Sequence, residues 1–386
     1  MACQEQALLT LLDDRGVAES MATAERMGDL NDVVRREGHI YAHAIGLAAY
    51  DGADRVGEVF ESCTASYQSG CYHGVIQSYF ADATEMRGGA GVSAESVNEL
   101  CADHRAAGGS RWLLFQCAHG IGHGVTTLYA HDLPRGLAAC DLIADDWERS
   151  ACYGGAFMEN VVQATAPHHT VGRPDVQAIS HDGTGHDEAG HDAGGHAARE
   201  RDQHAGHAME PAFPPLDPDD PLYPCNVLED RYLLSCYQMQ TSAILFFNGG
   251  DVAATAAICA GAPELYRITC YQSLGRDISA LTLQDHEAAI ELCDLAGPTH
   301  QYDCQSGYVK NVIDVTAEAA DGFEFCRAVR EAEGRALCNM AVGEQIWVLA
   351  TDESRREALC EGADAAHIEQ CRRGAGLVRA GATPLR

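Results

Sequence analysis

The sequence predicts an all-α protein: a solenoid of helix–turn–helix repeats, each stapled by a disulfide within the repeat. Three observations carry this. Sixteen of the seventeen cysteines fall into pairs, at 63/71, 101/117, 140/152, 225/236, 259/270, 293/304, 326/338 and 360/371. From Cys225 onward the first cysteine of each pair recurs after 34, 34, 33 and 34 residues, a length suited to two antiparallel helices. The fragments "DVAATAAICAGAPELYRITCYQSLGRDISALT" and "DHEAAIELCDLAGPTHQYDCQSGYVKNVIDVT" align without gaps, each opening on an Asp placed to cap a first helix. In this reading the first cysteine ends helix one and the second begins helix two. A bridge closing such a loop stabilises the hairpin by roughly 3 kcal/mol on the chain-entropy model.

The elements follow in order. The N-terminus, "MACQEQALLTLLDD", carries no basic segment followed by an apolar one, so no signal peptide is visible. Ala2-Cys3 resembles the end of a lipoprotein cleavage site, which leaves a lipid anchor on Cys3 or an incidental free thiol as the alternatives. "REGHIYAHAIG" fits as a repeat without cysteine, Glu37 standing in the cysteine's place. Cysteine-bearing repeats continue to about residue 165, so residues 1–165 form an N-terminal repeat region. Residues 166–224 interrupt it with a Gly-, Asp-, Pro- and His-rich insertion lacking apolar periodicity, expected to be a disordered surface loop. Residues 225–386 form the C-terminal repeat region.

Composition bounds the function. Hydrophobic content is 46%, enough for a sizeable core, while runs such as Ala243–Phe247 fall far short of the ~18 apolar residues that a membrane span needs. Twenty-six Lys and Arg against 57 Asp and Glu give a formal charge of −31, which disfavours nucleic acid and anionic membranes and favours cations. The acidic residues scatter along the chain, as on a solvated surface. No C-x-x-C pair occurs, which removes zinc ribbons, dithiol redox motifs and covalent haem attachment. A disulfide framework remains, and with it an oxidising compartment: the protein is expected to be secreted or periplasmic.

"SCTASYQSGCYHG" and "ACDLIADDWERSACYGG" resemble the Sel1-like, tetratricopeptide-like cysteine-rich helical repeat proteins, in which each helix pair carries one disulfide. That resemblance is architectural and covers most of the chain. It implies the fold and brings no catalytic residue.

Aligning the repeats on their second cysteine exposes two registers. Position +3 holds Gly74, Gly120, Gly155, Met239, Ser273, Gly307, Ala341 and Gly374, nearly all small, as close helix–helix approach requires. Positions +2 and +6, four apart and so on one helix face, hold His39 and His43, then His73 and Gln77, then His119 and His123. The next repeat has Gly154 and Met158, with Glu159 one residue on, and later repeats have no histidine there. Packing gives no reason to confine histidine to one end of a repeating array. Helices about 8–10 Å apart let imidazoles at matching heights converge on one centre or two.

An i, i+4 pair lets one helix offer two nitrogens to one ion. With the cysteines oxidised, the donor set is imidazole, carboxylate and thioether, which suits zinc, copper or iron. Met158 leans toward copper, and Glu159 toward zinc, iron or a general-base role. Neither "HIYAH" nor "HGIGH" supplies the Glu of H-E-x-x-H, which disfavours a thermolysin-like protease. Bis-histidine haem ligation stays open. Gly122 and Gly124 could admit a ligand to the backbone or loosen packing. In the insertion, His181, His186, His191 and His196 recur every five residues, a compositional signal for gathering metal, with a plain spacer as the alternative.

Three functions are compatible with these features. The first is an exported transition-metal-binding protein with a poly-histidine site at His39, His43, His73, His119 and His123. The second is a hydrolytic or redox metalloenzyme using the same site with Glu159 as its catalytic residue. The third is an interaction scaffold whose concave face binds a protein or peptide, for which Arg276, Lys310 and Glu344 on the same stripe would suit an anionic ligand or partner peptide.

Overall fold

The computed structural model describes residues 2–52, 55–67, 69–86, 92–108, 110–165 and 213–378. Regular structure among them is entirely helical. Two N-terminal hairpins, α1 (Ala2–Arg15) with α2 (Val17–Leu30) and α3 (Asp32–Arg36) with α4 (Gly38–Ala49), precede the disulfide-bonded units. There, short helices alternate with long ones: α5 (Val56–Glu61) with α6 (Gly70–Met86), α7 (Ala94–Glu99) and α8 (Ala102–Ala107) with α9 (Arg111–Leu128), and α10 (Leu133–Cys140) with α11 (Asp146–Thr165). After the insertion, a turn around Cys225 leads into α12 (Asp230–Phe247). The remaining pairs are α13 (Val252–Ala260) with α14 (Glu264–Leu281), α15 (His286–Asp294) with α16 (Gly297–Thr316), α17 (Ala319–Ala328) with α18 (Ala332–Leu349), and α19 (Glu353–Cys360) with α20 (Ile368–Gly374).

All eight expected bridges form within their repeats, with Cα separations of 5.5–5.9 Å, and Cys3 is left over and exposed. The second cysteine begins helix two only in the first unit, where Cys71 is the second residue of α6. Cys270 lies well inside α14, so its bridge ties the end of short α13 to the body of long α14, and the bridges Cys140–Cys152, Cys293–Cys304 and Cys326–Cys338 do the same for their helix pairs.

Local chemistry sets the helix starts. Asp132, Asp251, Asp285 and Asp352 each accept a hydrogen bond from the backbone N–H three residues on, as an N-cap does. Before three of them the chain turns through two consecutive left-handed residues: Ala130-His131, Gly249-Gly250 and Leu283-Gln284. Glycine takes this conformation at little cost, whereas the other two turns hold ordinary side chains there against their preference.

Long helices pack on long helices, and glycines set how closely. Any side chain on Gly155 of α11 would meet the backbone of His119 on α9, and any on Gly122 would meet the backbone of α11. The same exchange pairs Gly275 with Gly307 between α14 and α16, and Gly343 with Gly374 between α18 and α20. Position +3 is therefore a packing position, as its small residues suggest. Gly124 also packs, against Phe80 of α6, so Gly122 and Gly124 serve helix approach.

The array bends until its second and third disulfide units touch its sixth and seventh. The Arg111 guanidinium sits 3.8 Å over the Trp347 ring and donates to the Trp347 carbonyl at 3.0 Å. The Trp112 indole N–H donates to the Asp314 carbonyl at 3.3 Å, and Trp147 meets Trp347 edge-on. On the stripe expected to offer charges to a partner, Lys310 pairs with Glu344, and Arg276 is held by Asp277 and the Gln238 carbonyl. Residues 213–224, inside the segment expected to be unstructured, pack on the helices: Asn160 donates to the Pro215 carbonyl, and Gln240 to those of Pro221 and Tyr223. The histidine-rich run itself, within 166–212, lies outside the described residues.

Candidate metal centre

Three consecutive long helices, α4, α6 and α9, bring the histidine stripe together. Gly70 and Gly74 of α6 lie against the backbone of His39, His43 and Leu47 on α4, and Gly120 of α9 lies against Ile76 of α6. At these spacings the +2 and +6 side chains enter one interior region. His43, His73, His119 and His123 are buried, and His39 is partly so.

Ring centroids measure the cluster. His73 lies 4.9 Å from His119 and 4.7 Å from His123, and His119 lies 5.1 Å from His123. With nitrogen–metal bonds of about 2.0–2.1 Å, two imidazoles sharing an ion at a tetrahedral angle have centroids about 5 Å apart. Each of these three histidines can place one nitrogen within 4.8 Å of the others', a group able to hold a metal ion. His39 stands further out, 5.8 Å from His73 and 6.1 Å from His43, and His43 is 6.4 Å from His123.

The nitrogens are in the right state. His73 has both ring nitrogens buried without a hydrogen-bond partner, His119 has Nδ1 so, and His123 has Nε2 so. Buried polar atoms left unpaired cost roughly 1–3 kcal/mol each, so such a group in one place signals a missing ligand. Burial pushes His39 down to about 4 and His123 to about 3, and lowers His73 and His119, where the neighbouring imidazoles push further. They are neutral at pH 7, the form that ligates.

Glu159 of α11, buried, completes the arrangement. Its Oε2 lies 2.9 Å from His123 Nδ1, and its Oε1 accepts from the Thr127 hydroxyl at 3.2 Å and faces His131 Nδ1 at 3.4 Å. Burial raises its carboxyl to about 7, opposed by His131, Thr127 and His39. A carboxylate on Nδ1 puts the proton there and turns the Nε2 lone pair toward the cluster, the usual outer support of a metal-bound histidine. Gln77, at +6 of its repeat, donates to the Thr127 hydroxyl at 2.7 Å. Gly154, at +2, leaves open the space beside His119, where a Cβ would come 3.3 Å from Nδ1.

Sequence registers missed Thr127 and His131. Both follow the His pair on the same chain segment, but His131 sits in the left-handed turn and off the stripe. Met158 is only partly buried. Among the described residues, no helix is long and apolar enough to cross a membrane. No family model, curated protein or solved structure matches the chain.

Proposed function

We propose that this is an exported transition-metal-binding protein of the Sel1-like, tetratricopeptide-like kind, with its ion held by the N-terminal histidines. One observation carries the reading: His73, His119 and His123 converge within metal-ligating distance with unpartnered buried nitrogens. Glu159 orients His123 through Oε2 while its Oε1 accepts from the Thr127 hydroxyl, and this supports a role in positioning His123 over one as general base. Eight disulfides and the absence of a spanning helix among the described residues are compatible with an extracellular or periplasmic setting. The histidine-rich insertion gathers ions for the helical site.

A second reading, a metalloenzyme, is favoured by one feature. A three-histidine set leaves a coordination position open, as catalytic zinc sites do, and the space beside Gly154 adjoins it. Elemental analysis of protein purified without a histidine tag tests both. Replacing His119 and His123 together by Ala abolishes tight binding, because one helix loses both nitrogens. Replacing His286, whose Nδ1 pairs with the Tyr308 hydroxyl at 2.9 Å, leaves it intact. A metal-free protein whose stability ignores chelator would leave only the scaffold reading.

A further inference from the structure

We infer that the histidine cluster holds two ions, with His73 ligating both, one through each ring nitrogen. This rests on the metal-binding reading above and adds a second metal position, formed by His39, His43 and the outer nitrogen of His73.

Geometry divides the five imidazoles. Two rings bound to one ion at about 2.0–2.1 Å have centroids at most about 6.4 Å apart, and about 5 Å apart at tetrahedral angles. The set of His73, His119 and His123 meets the tetrahedral value on all three edges. His39 is not part of that close group, and at 5.8 Å from His73 and 6.1 Å from His43 it stays under the limit for an ion shared with them. His73 stands between the two groups, and it alone among the five has both nitrogens buried and unpartnered. A single ion would use only one of them.

His39 is prepared as His123 is. Its Nδ1 lies 2.9 Å from the Tyr67 carbonyl, which can only accept, so Nδ1 carries the proton and Nε2 keeps a lone pair. The carbonyl is held there against backbone preference: Tyr67 has φ 56°, a left-handed conformation rare for an aromatic residue. Its ring packs against Gly28 and Gly38, where any side chain would collide with it, and its hydroxyl donates to the Ala24 carbonyl at 2.8 Å. Strain of this kind persists where surroundings over-determine it, and here its product is one oriented imidazole.

Chemistry on both sides of His73 balances simply. A neutral imidazole carries one proton. The first ion takes the nitrogen without it, and the second displaces the proton to solvent, leaving an imidazolate between two cations. No electron transfer is required. The outer rings exceed tetrahedral spacing, so the second position closes by small side-chain movements and binds more weakly than the first.

Copper(II) loading of the full chain, followed by exhaustive dialysis, tests this by metal analysis and electron paramagnetic resonance. The expected result is two retained ions with an exchange-coupled spectrum and a half-field transition. His39→Ala, at a partly exposed position, keeps one ion, halves the retained copper and loses the coupling. Exhaustive dialysis removes copper bound more weakly than at these positions, so the retained copper counts them alone. One retained ion without coupling in the unaltered chain overturns the second position and leaves the first standing. Coupling that survives His39→Ala also overturns it. No retained ion at all overturns both the inference and the reading beneath it.

Discussion

Replacing Gly155 by Ala should weaken the fold and the proposed metal site together. The new methyl would lie 2.9 Å from the carbonyl carbon of His119, nearer still to its oxygen, and 3.2 Å from Gly122 Cα. All are backbone atoms, so no side chain can rotate away. Carbon contacts settle at about 3.5–4 Å, and the two helices must therefore part by on the order of 1 Å. Overpacking of this sort costs about 3 kcal/mol at the upper end of its usual range, and alanine's better helix propensity returns about 1, leaving a net loss near 2. Gly57 makes the comparison: a methyl there meets nothing within 4 Å, so Gly57→Ala should be neutral or stabilise by up to about 1 kcal/mol. Denaturant unfolding with the bridges intact, followed by tryptophan fluorescence, reads both. Trp112 and Trp147 sit near the starts of the two helices being separated. Because His119 moves with its own carbonyl, metal affinity should fall about tenfold or more in the Gly155 variant only. Equal effects of the two substitutions on stability would refute the packing argument.

Four further outcomes follow from other parts of the molecule. Glu159→Gln should keep the fold and lower metal affinity by about 10–100-fold, checked by competition with a chelator, since the outer carboxylate orients His123. Burial raises the Asp314 carboxyl to about 6, against the Trp112 N–H, from an ordinary 3.8. Ionisation therefore costs the native state more than the unfolded chain, so stability should fall as pH rises from about 4 to about 6 and then level, and Asp314→Asn should remove the slope and gain about 1–3 kcal/mol at pH 7. Replacing Cys259 and Cys270 together by Ala should cost roughly 3 kcal/mol in denaturant unfolding, the closure entropy of a loop spanning 11 positions. Deleting residues 175–210 should leave one tight site intact and slow its loading at scarce metal in stopped-flow measurements, because the histidines recurring there would no longer gather ions for the helical site.

Much of this was legible in the sequence because it repeats. The period paired the cysteines, and registration on them set five histidines on one face while later repeats carried none. Asp251 and Asp285 announced helix starts by type and position. What the period could not show is set by distance and not by pattern. Nothing near Arg111 or Trp112 indicates contact with Trp347 or Asp314, more than 200 residues away. The split of the histidines into a close triad and an outer pair turns on differences near 1 Å between ring centroids, below what a repeat register resolves. His131 escaped because it reaches Glu159 from a turn and not from the stripe. The long helices also begin before their second cysteine, so the loops are shorter than the cysteine spacing implied.

The segment Cys117–Gly124 shows how the packing and the site depend on each other. At about 100° per residue, Gly120 and Gly124 share one face of α9, Gly122 faces nearly the opposite way, and His119 and His123 project about a right angle from both. Gly120 and Gly124 meet Ile76 and Phe80 of α6, while Gly122 meets the backbone of α11. The helix is thus wedged between two neighbours by its glycines, and its remaining inner face is where the imidazoles stand. Larger residues at the glycines would separate α9 from α6, which carries His73, and from α11, which carries Glu159. The cluster needs both at hydrogen-bonding or metal-ligating range, so helix spacing and ligand spacing are one quantity here. For the same reason a bound ion that ties His73 to His119 and His123 should also hold α6 against α9. Metal would then slow amide exchange along both helices while leaving α15, which packs on α14, α16 and α17, unchanged.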